Sequence, residues 1–420
     1  MSDSVSDSMT DSRTLPAPAQ PWRRKSRSKS QALPFLMRYM DRLLSPIEYG
    51  DVTVTFPNGA TVHRRAPLPG PSAKLVIRRW RTVWRLMTGG ELAFADAFIA
   101  GDWWTPNLTA FLEFGARNEA SIERRIAGSA AHRWLARFMH WRNRNTKRGS
   151  RRNIAAHYDL GNAFYAHWLD SGMQYSSALF AGDSQTLEAA QRNKIERIET
   201  LLDIEGGERV LEIGCGWGAL MERLARRCHV TGVTLSAEQL AFARDRLKAH
   251  EARTEVRLQD YRDIPETYDR IVSIEMIEAV GERYWPHYFE KLRAALTQGG
   301  TVLLQAITIA EDRFDKYRRQ PDFIQRYIFP GGVLPTVDII RAQAARAGLE
   351  LVAHEPFGLS YARTLAIWRE RFLAAWPSIE RLGFDPSFKR MWEYYLCYCE
   401  AGFRNGAIDV GFFKLKPCAL

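Results

Sequence analysis

Hydrophobic positions change their spacing near residue 154 of this chain. Beyond it, short apolar runs alternate with stretches of helical period. ERVLEI (208–213), CHVTGVTL (228–235), TEVRLQD (254–260), DRIVSI (269–274) and TVLLQAITI (301–309) predict strands, the last opened by Gly299 and Gly300. GALMERLARRC (218–228), SAEQLAFARDRLKAH (236–250) and WPHYFEKLRAAL (285–296) predict helices between them. That order predicts an α/β unit, a mostly parallel sheet with helices on both faces. Ligands of such sheets sit at the carboxyl ends of the strands. The chemistry is therefore expected just after residues 213, 234, 258, 274 and 307.

Before residue 154 the pattern differs. VTVTFPNGATVHRR (52–65) reads as two alternating runs joined across Pro57, Asn58 and Gly59, a hairpin signal. KLVIRRWRTVWRLM (74–87) predicts a helix with Ile77, Trp80, Trp84 and Met87 on one face and Arg78, Arg81 and Arg85 beside it. Such a helix suits a membrane surface, or a core-facing stripe with arginines reaching water. AHRWLARFMHWRNRNTKRGSRRN (131–153) reads as a basic linker helix. Residues 1–33 are rich in Ser, Asp, Pro, Arg and Lys and read as a disordered, basic-ended tail. The expected organisation is tail 1–33, a small α+β domain 34–130, the linker 131–153 and an α/β domain 154–418.

Charge sharpens this picture. Residues 1–155 carry 26 Lys/Arg against 12 Asp/Glu, while the whole chain is +11, so the remainder is close to neutral. A basic first third implies an anionic partner, nucleic acid or anionic lipid. No apolar run approaches the ~18–20 residues of a membrane span, and the N-terminus lacks the apolar core of a signal peptide. A cytoplasmic chain is expected. The five cysteines show no CxxC spacing, so they read as reduced thiols and not as a metal site.

The turn VLEIGCGWG (210–218) admits two readings. Gly214, Gly216 and Ala219 satisfy the loose dinucleotide pattern. A dinucleotide site also needs an acid at the end of the second strand, and that position falls on Thr234. Methyl transfer from S-adenosylmethionine fits better. Glu212 precedes Gly214, Gly216 and Gly218, and a carboxylate there can stabilise the cationic end of the cofactor. Glycines let the backbone approach a ligand. Asp260, in QDYRD after the third strand, can accept from the adenine amino group or serve as a turn residue.

From about residue 85 to 416 the chain resembles the cyclopropane-fatty-acyl-phospholipid synthases, which include the mycolic acid cyclopropane synthases. The stretches that carry the resemblance are LAFADAFIAGDWW, NIAAHYDLGNAFYAHWLDSGMQYSSALF, VLEIGCGWG, GVTLSAEQ, LQDYRD, IVSIEMIEAVG, YIFPGGVLP and RFLAAWP. The resemblance implies a Rossmann-like class I S-adenosylmethionine-dependent methyltransferase fold with a smaller N-terminal α+β lipid-engaging domain. It implies that a methylene from S-adenosylmethionine is added across the cis double bond of an unsaturated acyl chain in a membrane phospholipid. It places the cofactor against Tyr175, Ser176, Glu212, Gly214, Gly216, Gly218, Thr234, Leu235, Gln239, Asp260 and Tyr261. It further implies a homodimer, peripheral membrane association through the basic N-terminal region, and no nucleic-acid partner.

The chemistry asks for an in-line sulfonium methyl in a dry site, because an alkene is a poor nucleophile. Methyl transfer leaves a carbocation, which aromatic faces and carboxylates stabilise. A base must then remove a proton so that the ring closes. Tyr158, Tyr175, Tyr361 and Trp368 are candidate aromatic walls, each also a candidate core residue. Many bacterial members hold a bicarbonate ion as that base. The corresponding positions here are Ser177, Glu278, Gln305, Ile307 and Tyr361, with Ser177 for cysteine and Gln305 for histidine. Ala279 stands where a histidine follows the glutamate, and Glu275 replaces a glycine. YSSA with EMIEAVG and LLQ resembles the plant-type branch. Ser177 and Gln305 can hydrogen-bond an oxyanion, but the histidine's tunable proton is gone. Bicarbonate is thus in question as the base, and Glu278, or Glu275 with it, is the carboxylate expected to support or replace it. Two alternatives stay open: methyl- or methylene-branched chains from the same cation, and a nucleic-acid methyltransferase, whose NPPY-like motif is lacking where EMIEA stands.

Overall fold

The computed structural model describes residues 34–123 and 160–418. The expected tail, the linker helix 131–153 and Tyr158 lie outside the described residues.

Two sheets organise the chain. The first has four strands in the order β2-β1-β3-β4: β1 (Tyr49–Thr55), β2 (Thr61–Arg65), β3 (Leu68–Ile77) and β4 (Trp103–Trp104). The hairpin forms as the sequence predicts, with Val54 opposite Val62. β3 then returns to lie parallel on the other side of β1. Helices α1 (Pro34–Leu44), α2 (Arg81–Ile99) and α3 (Leu108–Arg117) accompany this sheet. Asn107 caps α3 by accepting from Ala110 N.

The helix expected over 74–87 is corrected here. Lys74–Ile77 is the end of β3, where Leu75 and Ile77 are buried and Lys74 is exposed, a period of two. Helix begins only at Arg81, after Arg78 and Arg79 donate their backbone N–H groups to the Asp102 carbonyl. The predicted apolar face dissolves with it. Trp80 stacks on Phe56 at 5.6 Å, while Trp84 is 57% exposed. Arg79, Arg81 and Arg85 instead converge on the fully buried Asp102 carboxylate, at 3.3, 2.5 and 3.5 Å.

The second sheet has seven strands in the order β10-β11-β9-β8-β5-β6-β7. β5 (Arg209–Ile213), β6 (His229–Thr234), β7 (Thr254–Leu258), β8 (Tyr268–Ile274) and β9 (Leu296–Ile309) are mutually parallel. β10 (Leu349–Pro356) and β11 (Ile408–Pro417) close one edge, with β11 antiparallel to both neighbours. Helices α4 (Leu187–Leu201), α5 (Ala219–Leu224), α6 (Ala237–Arg246), α7 (Trp285–Ala294) and α8 (Val337–Arg346) accompany the sheet. This is the Rossmann-like α/β arrangement expected. One detail differs: β9 starts at Leu296, ahead of the two glycines. A Cβ on Gly300 would meet the Asp269 carbonyl at 2.8 Å, so glycine is required inside the strand.

Helices α9 (Gly358–Glu380) and α10 (Pro386–Arg404) join the two sheets into one body of packing. A continuous buried cluster runs from Val54, Leu75 and Phe98 of the first sheet's layer to Trp168, Trp368, Phe372 and Trp392. Polar ties accompany it. Thr109 donates to the buried Glu400 carboxylate at 2.9 Å, and Arg390 to the Ile99 carbonyl at 2.6 Å. Among the described residues, no helix is long and apolar enough to cross a membrane.

Candidate active site

The glycine turn leaves the carboxyl end of β5. Gly214, Gly216 and Gly218 have φ of 84°, 52° and 83°, the left-handed region that penalises a side chain. Backbone conformation is thus the demand on all three. Close packing adds to it at Gly218, where a Cβ would sit 3.2 Å from the Ala243 Cβ of α6. At Gly216 the Cβ position is open. The Gly214 and Cys215 N–H groups both donate to the Val233 carbonyl, which ties the turn to the end of β6.

One cavity of about 960 Å³ passes this turn. Of the eleven residues expected to hold the cofactor, Tyr175, Gly214, Gly216, Thr234, Leu235, Gln239 and Tyr261 line it. Thr234 donates to Gln239 Oε1 at 2.9 Å, and Ser236 caps α6 by accepting from Gln239 N. Gln259 also lines the wall, a residue the sequence reading passed over. Ser176, Glu212, Gly218 and Asp260 stand outside the lining. Asp260 is buried, and its carboxylate accepts from the Arg262 guanidinium at 2.8 and 2.6 Å and from the Arg262 N–H at 3.0 Å. Glu212 is buried with Oε2 lacking a hydrogen-bond partner, and burial pushes its carboxyl up to about 8, opposed by the charge of Lys194. An orphaned buried carboxylate under a glycine turn fits a cationic cofactor such as S-adenosylmethionine.

The expected catalytic residues gather at the carboxyl ends of β8 and β9. Glu275, Glu278, Ile307 and Tyr361 line the same cavity. Glu275 Oε1 accepts from Ser177 N at 2.8 Å and Gln305 Nε2 at 2.7 Å, and its Oε2 accepts from Tyr361 OH at 2.7 Å. Glu278 Oε1 accepts from Ile307 N at 2.5 Å, while its Oε2 has no partner. Burial and the charge of Glu275 push Glu278 up to about 8. Ser177 contributes its backbone N–H, since its hydroxyl donates to the Ala178 carbonyl at 2.9 Å. Trp368 is fully buried behind the site, edge-on to Tyr361 at 6.0 Å and tilted on Tyr175 at 5.4 Å. It supports the wall and is not the wall itself.

Lys194 was not anticipated. It is buried in α4, donates to Ser176 Oγ at 2.6 Å, and interacts electrostatically with Glu275, Asp170 and Glu212. Burial lowers its ammonium to about 8. The signal lay in the helix period. Leu187, Ala190, Gln191, Lys194, Ile198 and Leu201 form one buried stripe, and its two polar members both reach Ser176.

The same cavity is also walled by Met40, Leu43 and Leu44 of α1, Val52 and Val54 of β1, Leu75 of β3, Leu86 of α2 and Phe111 of α3. The N-terminal layer thus shares a single apolar space with the glycine turn and the two carboxylates. A mostly parallel seven-stranded sheet with this glycine turn at the carboxyl end of β5 and an open cofactor wall beside it fits a class I methyltransferase that uses S-adenosylmethionine.

The mycolic acid cyclopropane synthetase family matches residues 145–413, and the chain belongs to that family. It is 41% identical over 348 residues to the tuberculostearic acid methyltransferase UfaA1 of Mycobacterium tuberculosis, covering 78% of this chain and 79% of that protein. It is 36% identical to the cyclopropane-fatty-acyl-phospholipid synthase of Escherichia coli K12, covering 78% and 83%. The solved structure of mycolic acid cyclopropane synthase CmaA1 complexed with SAH and CTAB superimposes with a TM-score of 0.60 at 32% identity, covering 63% of this chain and 97% of that one. The protein is an S-adenosylmethionine-dependent methyltransferase of the cyclopropane synthase and fatty acid methyltransferase class.

Proposed function

We propose that this enzyme adds a methylene, derived from S-adenosylmethionine, across the cis double bond of a phospholipid acyl chain to give a cyclopropane. The observation that carries the reading is the shared cavity. One space of about 960 Å³ has apolar walls from α1, β1, β3 and α2, and it also contacts the glycine turn, Glu275 and Glu278. A long apolar substrate suits those walls, and Glu275 and Glu278 stand where its reacting carbons would lie. S-adenosylmethionine supplies an electrophilic methyl group. Thr234, Gln239 and the glycine turn hold and orient it. Tyr361, edge-on to Trp368 and stacked on Phe403 at 4.6 Å, presents a rigid aromatic wall. A carboxylate of the Glu275–Glu278 pair provides the proton acceptor.

The phospholipid assignment is supported by the Escherichia coli relative's name and by the basic first third of the chain. An anionic surface attracts such a region at ~1 kcal/mol per Lys or Arg near it. Trp84, 57% exposed on α2, suits that interface. We take residues 34–130 as the lipid-engaging unit of a cytoplasmic, peripherally membrane-bound homodimer.

A second reading is a methyl- or methylene-branched product from the same cation. It is favoured by the 41% identity to a tuberculostearic acid methyltransferase.

Expression in a host lacking this activity tests the proposal. Gas chromatography–mass spectrometry of fatty acid methyl esters is expected to show loss of cis-unsaturated chains and gain of chains heavier by one CH₂, and proton NMR to show high-field ring-proton signals; branched or methylene signals instead would favour the second reading. Unchanged lipids, with folded protein that binds S-adenosylmethionine, would reject it and turn attention to RNA and small-molecule acceptors.

A further inference from the structure

We propose that the Glu275 carboxylate is the built-in oxyanion of this site, filling the place bicarbonate takes in relatives and accepting the proton itself. The inference rests on the acyl-chain methylation proposed above.

Backbone geometry comes first. Glu275 has φ of 48°, one of three described non-glycine residues in the left-handed region. A non-glycine residue persists there only where its surroundings over-determine it. Its N–H donates to the Gln305 carbonyl at 2.7 Å, which extends the β8–β9 ladder by one bond. The side chain is then fixed by three donors from three separate segments. Ser177 N and Gln305 Nε2 hold one oxygen, and Tyr361 OH holds the other.

These donors belong to three of the five positions the family resemblance allots to bicarbonate. A fourth, the Ile307 N–H, is taken by Glu278. A further oxyanion would have to displace both carboxyl groups from their donors and lie against the charge of Glu275. The residues present therefore do not fit bicarbonate. They fit a carboxylate that arrives on the chain. Lys194 acts on Glu275 electrostatically and favours its ionised form, as do the three donors, against the rise that burial imposes.

The chemistry balances. After methyl transfer the new methyl is bonded to one former alkene carbon and the cation lies on the other, two bonds from the methyl carbon. A C–H bond of that methyl breaks, its electron pair forms the C–C bond to the cationic carbon that closes the ring, and the proton passes to a Glu275 oxygen. Burial raises the Glu275 carboxyl above its ordinary value although three donors and Lys194 oppose the rise, and a proton beside a carbocation needs no strong base. The same hydrogen bonds restrain the carboxylate from capturing the cation as an ester.

The test compares the wild-type enzyme with E275G. Glycine accepts φ of 48° without strain, so this variant removes the carboxylate and frees the three donors while keeping the turn. Binding of ¹³C-bicarbonate is followed by NMR line broadening, turnover is measured in CO₂-free buffer with and without millimolar bicarbonate, and calorimetry with S-adenosylmethionine checks that the variant is folded. The wild type is expected to bind no bicarbonate and to turn over equally with and without it. E275G is expected to lose about 100-fold in CO₂-free buffer, to recover roughly tenfold or more with bicarbonate, and to broaden its signal. Three results would overturn the inference: wild type that slows when CO₂ is removed, bicarbonate bound by both proteins or by neither, or E275G as fast as wild type without bicarbonate. If E275G does not fold, the wild type's response to CO₂ removal decides alone. A wild type that makes no acyl product refutes the proposed function instead, and the binding comparison still decides the oxyanion.

Discussion

Glu275 and Glu278 stand three residues apart, yet the fold treats their carboxyls differently. Glu275 has a donor on each oxygen. Glu278 has one donor, an orphaned Oε2 and a neighbouring negative charge, so it is the member that holds a proton near neutral pH. Its folded-state value of about 8 lies above its ordinary 4.5. Its contribution to stability is therefore full below about pH 4.5 and lost as the pH rises through about 8. E278Q keeps the neutral shape and removes that loss. Thermal melts from pH 5 to pH 8.5 should show the variant gaining on the wild type as pH rises, by roughly 2–4 °C for each kcal/mol recovered. A difference independent of pH would place the proton elsewhere.

At the scale of elements, the α/β half was legible because both of its signals are local. Buried parallel strands read as apolar runs, and the turn after β5 must be glycine at each left-handed position. G218A should cost about 1–2 kcal/mol in stability from φ alone, and the Ala243 contact adds to it. Calorimetry should also show S-adenosylmethionine binding weakened by about tenfold, equivalent to 1.4 kcal/mol. The segment after the hairpin was misread for a tertiary reason. Ile77, Trp80, Trp84 and Met87 have helical spacing, but β1 offers a pairing edge to Lys74–Ile77, and buried Asp102 gathers the arginines that looked like a helix face. Neither partner is visible in a window of fourteen residues. At the site, the carboxylates and Tyr361 were readable through family resemblance. The use of Ser177 through its N–H, the retreat of Trp368 behind Tyr361 and the burial of Lys194 depend on packing across distant segments.

At the scale of the whole molecule, the N-terminal layer and the carboxylates share one apolar space. Enlarging a side chain on its N-terminal wall should block substrate without touching the cofactor. Leu86→Trp is expected to leave S-adenosylmethionine affinity within about twofold and to lower lipid turnover about tenfold or more, since small displacements of the reacting carbons are costly. Overpacking should reduce stability by about 1–3 kcal/mol, so melts must accompany the assay. Equal losses in cofactor binding and turnover would deny the N-terminal wall a substrate role. The most direct measurement uses purified protein, vesicles of cis-unsaturated anionic phospholipid, and S-adenosylmethionine labelled with ¹³C in its methyl group. The position of the label is then read by NMR in the recovered acyl chains. A high-field ring methylene is expected. Label in a branched methyl or an olefinic methylene would contradict ring closure at Glu275, and no label in lipid at all would contradict the proposed function.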